Sequence, residues 1–190
     1  MTQPEIVVRW IWIVWWVTWL LAAFWSDRAA KRPPTRRQTW YRVLAMAGYV
    51  LLFGAYPHRW RQEIILWRSP DALGWTMVAA NVAGFAFTWW ARIHLGRLWS
   101  SSVGRKAGHH VVDTGPYRLV RHPIYTGIIL ASIATAIVRG TVVAWVGMVV
   151  LTAGWYVKAR LEEEFLQSEL GAGAYGAYAR RVPMLVPFVR

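Results

Sequence analysis

The residues best suited to chemistry fall between positions 92 and 123, a polar stretch that holds four of the chain's five histidines. The stretch ends in an Arg-His-Pro-x-Tyr sequence that begins at Arg121. Because proline is tolerated in the first turn of a helix, we expect a helix to begin at Pro123. Arg121, His122 and Tyr125 should gather at its N-terminus, where unpaired N–H groups and partial positive charge attract carboxylates or phosphates.

A second charged group follows two long apolar segments, Ile124–Val138 and Thr141–Val157, that are separated only by Arg139 and Gly140. So short a break predicts a tight antiparallel helical hairpin, which would return the second group to the side of His122. Such a site could hold a zwitterion, with cations facing a carboxylate and glutamates facing an amine or ribose hydroxyls. The second group comprises Lys158, Arg160, Glu162, Glu163 and Glu164.

The three glutamates differ in their rotation about the predicted helix. Residues four apart share a helix face, so Arg160 and Glu164 are predicted to line the same cavity. Glu162 is expected to point away from that cavity, because a step of two residues turns the side chain by about 160°.

Several classes of site are excluded or disfavoured by what the sequence lacks. It contains no cysteine, which excludes disulfides, thiolate metal sites and a cysteine nucleophile. The histidines have neither His-x-x-x-His nor His-x-x-His-His spacing, so no metal site is predicted. The sequence has no P-loop, no Gly-x-Gly-x-x-Gly and no serine nucleophile elbow.

The composition is typical of a membrane protein. Of the 190 residues, 56% are hydrophobic and 15 are tryptophan, and the formal net charge is +13. Tryptophan suits the wet edge of a bilayer, where its ring is apolar and its N–H finds water or headgroups. The basic residues lie between long apolar runs, so membrane topology and anionic headgroups account for them better than nucleic acid does. We therefore predict a membrane partner and no nucleic-acid partner.

Five apolar segments are predicted to span the membrane, which gives an all-α, polytopic fold that ends in a helical hairpin. A helix of 20 residues rises about 30 Å, the thickness of the hydrocarbon core. The segment His58–Asp71 is mixed in character and is expected to lie at the interface. The predicted spans are Ile6–Trp25, Tyr41–Tyr56, Ala72–Trp90, Ile124–Val138 and Thr141–Val157.

The basic residues also predict the orientation of the chain. Of its 22 lysines and arginines, 17 lie within residues 26–42, 92–123 and 158–190, and the other five lie outside these ranges. Positively charged segments stay on the cytoplasmic side of a membrane. With five spans, the N-terminus is then outside, and the C-terminus and the predicted charged site are cytoplasmic.

The charged residues belong to a longer pattern with several fixed spacings. It reads Gly108-His-His-Val-Val-x-x-Gly-Pro-Tyr, then Arg121-His-Pro-x-Tyr-x-Gly, then Glu-Glu-x-x-Leu, and finally Tyr175-x-x-Tyr-x-x-Arg-Val-Pro. This pattern resembles the isoprenylcysteine carboxyl methyltransferase family, to which the phospholipid N-methyltransferases are related. The resemblance covers residues 94–188, so we expect three N-terminal helices in residues 1–91 and a catalytic half in residues 92–190.

The resemblance implies an enzyme that binds S-adenosylmethionine in its C-terminal half. Arg160 resembles a family arginine that faces the methyl acceptor, and either Glu163 or Glu164 would close the cofactor pocket; these three are the predicted catalytic residues. The other residues that the resemblance places at the cofactor are His109, His110, Val111, Val112, Tyr117, Arg121, His122, Pro123, Ile124 and Tyr125.

The expected acceptor is a lipid or a lipidated, membrane-accessible molecule, and O-methylation of an isoprenylcysteine-type carboxylate is the leading prediction. Phospholipid N-methylation and small-thiol S-methylation remain open alternatives. An NADPH-dependent membrane reductase of the sterol type and a non-catalytic membrane protein also remain open. A chain this short is typical of a prokaryotic member, which would lie in the inner, cytoplasmic membrane.

Overall fold

The computed structural model describes residues 2–24, 35–54, 64–96, 99, 111–170 and 172–188. Within these ranges all regular structure is helical, and the only strand-like pairing is one isolated bridge between Ile65 and Thr141. The predicted all-α fold class is therefore confirmed. The helices are α1 (Gln3–Ala23), α2 (Thr35–Phe53), α3 (Asp71–Leu95), a short 3₁₀ helix (Gly115–Arg118), α4 (Pro123–Arg139), α5 (Val142–Leu170) and α6 (Ala172–Arg181).

Each of the five predicted spans corresponds to one of the helices α1 to α5. By length and composition, two of the described helices could cross a membrane, namely α1 over Gln3–Ala22 and α5 over Val142–Ser168. Helix α4 is also apolar but shorter. Helix α3 continues to Leu95, past the predicted end of its span at Trp90.

Pairs of helices pack through small residues that let their backbones approach closely. Helix α3 lies against α4, where a Cβ atom added to Gly84 would be only 2.7 Å from the carbonyl oxygen of Gly127. Helix α2 lies against α5, where a Cβ atom on Gly48 would be 2.5 Å from the backbone nitrogen of Leu151. Contacts this close leave no room for a side chain, so they fix which faces of the helices meet.

The hairpin between α4 and α5 turns at Gly140, whose φ of 58° is left-handed and suits glycine. Extended residues lie against this turn. The N–H of Leu66 donates to the Gly140 carbonyl at 2.7 Å, and the N–H of Val142 donates to the Ile64 carbonyl at 3.0 Å. The described part of the predicted interfacial segment, residues 64–70, is thus extended rather than helical, and it covers the turn.

Buried and half-buried arginines cap helix ends at opposite poles of the bundle. At the hairpin pole, Arg9 donates to the Phe53 carbonyl at 3.1 Å. At the other pole, Arg92 donates to the Gly96 carbonyl at 2.8 Å and to the Ala22 carbonyl at 2.9 Å. Unpaired carbonyls at helix C-termini attract cations, so Arg92 is a buried helix cap and not the first residue of a solvated loop.

Three tryptophans of α1 are buried in the core instead of lying at the edge of the bundle. Trp12, Trp15 and Trp19 recur at helical spacing along one face. The indole of Trp12 donates to Thr135 Oγ1 and that of Trp15 to Thr88 Oγ1, each at 2.9 Å. Because these threonine hydroxyls satisfy the indole N–H groups, the rings can be buried.

Candidate active site

The start of α4 and the polar end of α5 meet through ionic contacts. Arg121 donates from Nε to Glu163 Oε1 at 2.6 Å, and His122 Nε2 lies 3.2 Å from the same oxygen. Glu163 belongs to α5 and lies more than forty residues further along the chain. The convergence predicted from the hairpin is therefore confirmed, and we call the group the ionic cluster. It consists of Arg121, His122, Tyr125, Lys158, Glu162 and Glu163.

Glu162 occupies the centre of the ionic cluster. The hydroxyl of Tyr125 donates to Glu162 Oε1 at 2.7 Å, and His122 Nδ1 lies 3.5 Å from Glu162 Oε2. Lys158, one turn earlier on α5, places its ammonium 3.9 Å from Glu162 Oε1. Each carboxylate of the cluster thus has a cationic neighbour, which is what buried charges require.

His122 is buried between the two carboxylates, with one ring nitrogen facing each of them. Burial alone would lower the pKa of His122, but hydrogen bonds and charges from Glu162 and Glu163 outweigh it, and the pKa is raised above its usual 6.5. The protonated imidazolium is therefore favoured at this position, where it links the two glutamates.

Lys158 is only 6% exposed and is enclosed by aromatic rings. Its ammonium nitrogen lies 5.5 Å from the ring centre of Tyr41, 5.1 Å from that of Tyr125 and 5.3 Å from that of Trp155. Ring faces attract cations at these distances. Tyr41 comes from α2, so the packing of α2 on α5 completes the surroundings of Lys158.

The C-terminal residues after α6 cover the start of α4. The backbone N–H of Arg121 donates to the Pro183 carbonyl at 2.9 Å, and that of His122 donates to the Met184 carbonyl at 3.1 Å. The Arg121 side chain also donates to the carbonyls of Ala179 and Val182, at 2.7 and 2.6 Å. N–H groups that were expected to be open to an anion before Pro123 are thus already paired, because the C-terminal backbone folds back over them.

The remaining predicted cofactor residues that are described lie in the first turn of α4, in the 3₁₀ helix and in the residues just before that helix. Pro123 and Ile124 are buried in the first turn of α4. Tyr117 is buried in the 3₁₀ helix, and its carbonyl accepts a 2.7 Å hydrogen bond from Tyr178. Val111 and Val112 are half-buried, the first against the α6 tyrosines and the second against the main core. The predictions for His109 and His110 concern residues outside the described ranges.

The prediction that Glu162 points away from the site is wrong, since Glu162 contacts both His122 and Tyr125. Arg160 and Glu164 do share a face of α5, as predicted, but that face is exposed and does not line the cluster. The physical reason is that close packing against α2 sets the rotation of α5 and turns Lys158, Glu162 and Glu163 inward.

The sequence contained a signal for this arrangement. In the motif Glu-Glu-x-x-Leu, the leucine is Leu166, and counting back from it selects Glu162 and Glu163. Tyr178 and Val182 were also missed as residues that help build the site, although both were part of the recognised pattern. Among the described residues, no three His, Asp or Glu side chains are placed to share a metal ion.

Comparison with known proteins gives matches to the part of the chain that contains the ionic cluster. Residues 77–168 match the model of the isoprenylcysteine carboxyl methyltransferase (ICMT) family. Protein-S-isoprenylcysteine O-methyltransferase B of Arabidopsis thaliana is 29% identical over 87 residues, which is 46% of this chain and 44% of that protein. Protein-S-isoprenylcysteine O-methyltransferase A of the same plant is 32% identical over 81 residues, 43% of this chain and 41% of that protein.

A third relative is a probable protein-S-isoprenylcysteine O-methyltransferase of Oryza sativa subsp. indica, 27% identical over 112 residues, or 59% of this chain and 53% of that protein. The matches span about half the length of these curated relatives. The matched segment contains α4, most of α5 and every member of the ionic cluster. The resemblance predicted from the motifs is confirmed over residues 77–168, which match the model of that family.

Proposed function

We propose that this chain is an integral membrane methyltransferase that moves a methyl group from S-adenosylmethionine to a lipidic acceptor. The observation that carries the proposal is the ionic cluster, because its buried charges lie in the segment that matches the family. The relatives are named for O-methylation of S-isoprenylcysteine. The acceptor proposed first is therefore the carboxylate of a prenylated cysteine.

The proposed membrane arrangement has five spans, α1 to α5, with the N-terminus outside and the C-terminus in the cytoplasm. Two observations support it. The capping contacts of Arg9 and Arg92 show that successive helices alternate in direction, since α1 begins beside the end of α2 and ends beside the end of α3. The segments rich in lysine and arginine all follow or precede helix ends at the pole of the ionic cluster.

The residues of the cluster fit the chemistry of S-adenosylmethionine. The Glu162 side chain is 20% exposed whereas that of Glu163 is 8% exposed, so one carboxylate of the cluster is open to an approaching amine or ribose hydroxyl. Arg121 and His122 supply positive charge for the carboxylate of the cofactor. Val111, Val112, Tyr117, Pro123 and Ile124 supply apolar surface for its purine, with His109 and His110 preceding them in the chain.

The cofactor, when bound, supplies a methyl group that is already activated on a sulfonium. The chain's own residues then need mainly to hold donor and acceptor in line and in contact. A carboxylate acceptor is nucleophilic as it stands and needs no general base, so a cluster of paired charges suffices. Arg160 lies on the exposed face of α5, and in this proposal it meets an acidic acceptor that arrives from outside the cluster.

The decisive experiment incubates the purified chain in lipid nanodiscs with methyl-labelled S-adenosylmethionine and an S-farnesylated N-acetylcysteine. We expect base-labile label in the farnesylated product. The methyl ester of the same compound is the matched control, because it lacks the carboxylate and should take up no label. Label in a total lipid extract but not in the farnesylcysteine would identify a different acceptor.

Direct binding measurements complement the activity test. Titration of the chain with S-adenosylmethionine and with NADPH should give binding of the first only. Binding of NADPH alone would point to a reductase, and binding of neither would point to a non-catalytic protein.

A further inference from the structure

The chain after α6, residues 183–188, does not leave the bundle but runs along α4; we call it the C-terminal strap. Its carbonyls pair in order with α4 and the residues before it. Pro183 accepts from Arg121, Met184 accepts from His122, and the Leu185 carbonyl accepts from the Thr126 hydroxyl at 2.6 Å. The strap therefore runs parallel to α4, from its N-terminus toward the middle of the bundle.

The strap is apolar throughout, and its side chains divide into two sets. Met184 and Leu185 are half-buried and pack against the main core. Val186 is 56% exposed and Phe188 is 97% exposed. An apolar run that is anchored on one side and bare on the other indicates a contact surface, because bare aromatic and branched side chains are unfavourable in water.

The depth of the strap follows from its partners on α4. Thr126 is four residues beyond His122, which is about 6 Å along the helix axis at 1.5 Å per residue. Amphipathic segments that lie in a membrane interface bury their apolar face about 5–10 Å into the boundary between headgroups and acyl chains. If α4 enters the bilayer at Pro123, as the proposed function requires, Val186 and Phe188 lie at this boundary.

Helix α6, which delivers the strap, carries charge that suits the same location. Its buried face is formed by Tyr175, Tyr178 and the adjoining Val182. Its outer face carries exposed Arg180 and Arg181, the latter 3.2 Å from Asp113. Arginines next to exposed apolar side chains are the combination that binds anionic headgroups.

We propose that the C-terminal strap and α6 form an interfacial anchor for an anionic bilayer. Val186 and Phe188 insert between headgroups and acyl chains, while Arg180 and Arg181 contact the headgroups. The bilayer thereby holds the strap carbonyls against Arg121 and His122, which couples membrane contact to the order of the ionic cluster. The inference rests on the membrane insertion of α4 in the proposed function, but it does not depend on the reaction.

The absence of cysteine in the chain allows a direct test of depth. The variant Phe188→Cys carries a nitroxide and is placed in nanodiscs of equal parts phosphatidylcholine and phosphatidylglycerol. The control is Gly173→Cys, on the exposed side of α6, where an added Cβ atom would have no described atom within 4 Å apart from its chain neighbours and its own helix backbone. We expect the Phe188 label to collide preferentially with oxygen and the Gly173 label with a water-soluble nickel chelate.

Equal accessibility of the two labels to the nickel chelate would overturn the anchor. If Phe188→Cys does not fold, the accessibility of a label on Val186→Cys is measured in the same way. The depth measurement needs no catalytic turnover, so a wild-type chain that fails to bind S-adenosylmethionine would refute the proposed function without affecting this result.

The coupling to the cluster has its own readout. Phe188→Asp should raise the dissociation constant for S-adenosylmethionine several-fold in these nanodiscs. The matched control is Phe24→Asp, an equally exposed phenylalanine at the end of α1, which should leave the constant unchanged. Equal effects of the two substitutions, or no effect of either, would overturn the coupling.

Discussion

Two buried polar regions of this chain are built in different ways. One, which we call the neutral layer, lies midway along the helices and is held by hydrogen bonds between uncharged groups. In this layer Trp12 and Asn81 donate to Thr135, and Trp15 donates to Thr88. The other is the ionic cluster at the pole where α4 begins. Both regions join different helices through polar contacts, yet only the second contains charge.

The contrast has a thermodynamic reason. A neutral hydrogen bond can be buried at small net cost, whereas a buried ion pair often stabilises a fold no better than apolar side chains would. A group of buried charges with specific charged partners is therefore a candidate functional site. The neutral layer therefore holds the helices together, and the ionic cluster is where chemistry is expected.

The broadest test asks whether the two poles of the helix bundle lie on opposite sides of a membrane. In the proposed arrangement, reporter fusions ending at Ser69 and at Arg190 should report opposite sides, because Ser69 lies at the pole of the hairpin turn, whereas α6, which precedes the C-terminus, lies at the pole of the ionic cluster. The measurement is enzyme reporter activity on each side of the membrane. The same location for both fusions would refute five spans.

The largest effect of a substitution is expected for the glutamates of the cluster. Glu163→Gln should raise the dissociation constant for S-adenosylmethionine about 10- to 150-fold, the equivalent of roughly 1.5–3 kcal/mol for a hydrogen bond to a charged group. Glu162→Gln should have a comparable effect, given its contacts with His122 and Tyr125. Calorimetry in detergent measures both constants.

Glu164→Gln is the control for this experiment, since the residue is adjacent but exposed. It should leave binding nearly unchanged. A rise for Glu164→Gln together with normal binding by the other two variants would assign the cofactor contact to Glu164, one of the two glutamates that the sequence predicted, and would show that the cluster does not hold the cofactor.

A substitution in the neutral layer should have the opposite effect, since it should lower the stability of the fold and leave the binding of S-adenosylmethionine unchanged. Trp12→Phe removes the indole N–H that donates to Thr135 and should lower the free energy of unfolding by about 1–3 kcal/mol. Trp10→Phe is the control, because Trp10 is 61% exposed on the same helix. Thermal unfolding and cofactor titration are compared for both. Weakened cofactor binding in Trp12→Phe would contradict this prediction, because it would show that the neutral layer also contributes to binding.

Arg160 tests whether acceptor and cofactor are recognised by different faces of α5. Arg160→Ala should leave cofactor affinity nearly intact and lower turnover of an acidic acceptor several-fold, chiefly through its KM, while Arg160→Lys restores part of it. Steady-state kinetics with the farnesylated cysteine derivative measure the effect. Loss of cofactor binding in Arg160→Ala would assign this arginine to the cofactor instead.

The smallest expected effect is a pH dependence of stability due to His122. Its pKa is raised in the folded chain, so its contribution to stability is complete below its unfolded value of about 6.5 and is lost as the pH rises through the folded value. In the His122→Gln variant, the midpoint of thermal unfolding should vary less with pH over that range. His94→Gln, at an exposed histidine, is the control, and an equal flattening there would exclude His122 as the cause.

The sequence by itself determined the helices and the location of the cluster. Long apolar runs with Pro123 at one start and Gly140 at one turn define α4 and α5. Because only two residues separate the apolar segments, the two helices must be antiparallel. Arg121 and the charged residues after Val157 therefore lie at the same end of the hairpin. The family pattern reinforced this conclusion without any knowledge of packing.

Only the tertiary structure decided which side chains turn inward. The rotation of α5 depends on the close backbone contacts of Gly48 with Leu151 and of Gly154 with Ala45, and these place Lys158, one turn beyond Gly154, against α2. Local periodicity describes which residues share a face, but the choice of the buried face comes from packing against another helix. For the same reason, Trp12 is buried beside Thr135, a partner 123 residues away that no local pattern could identify.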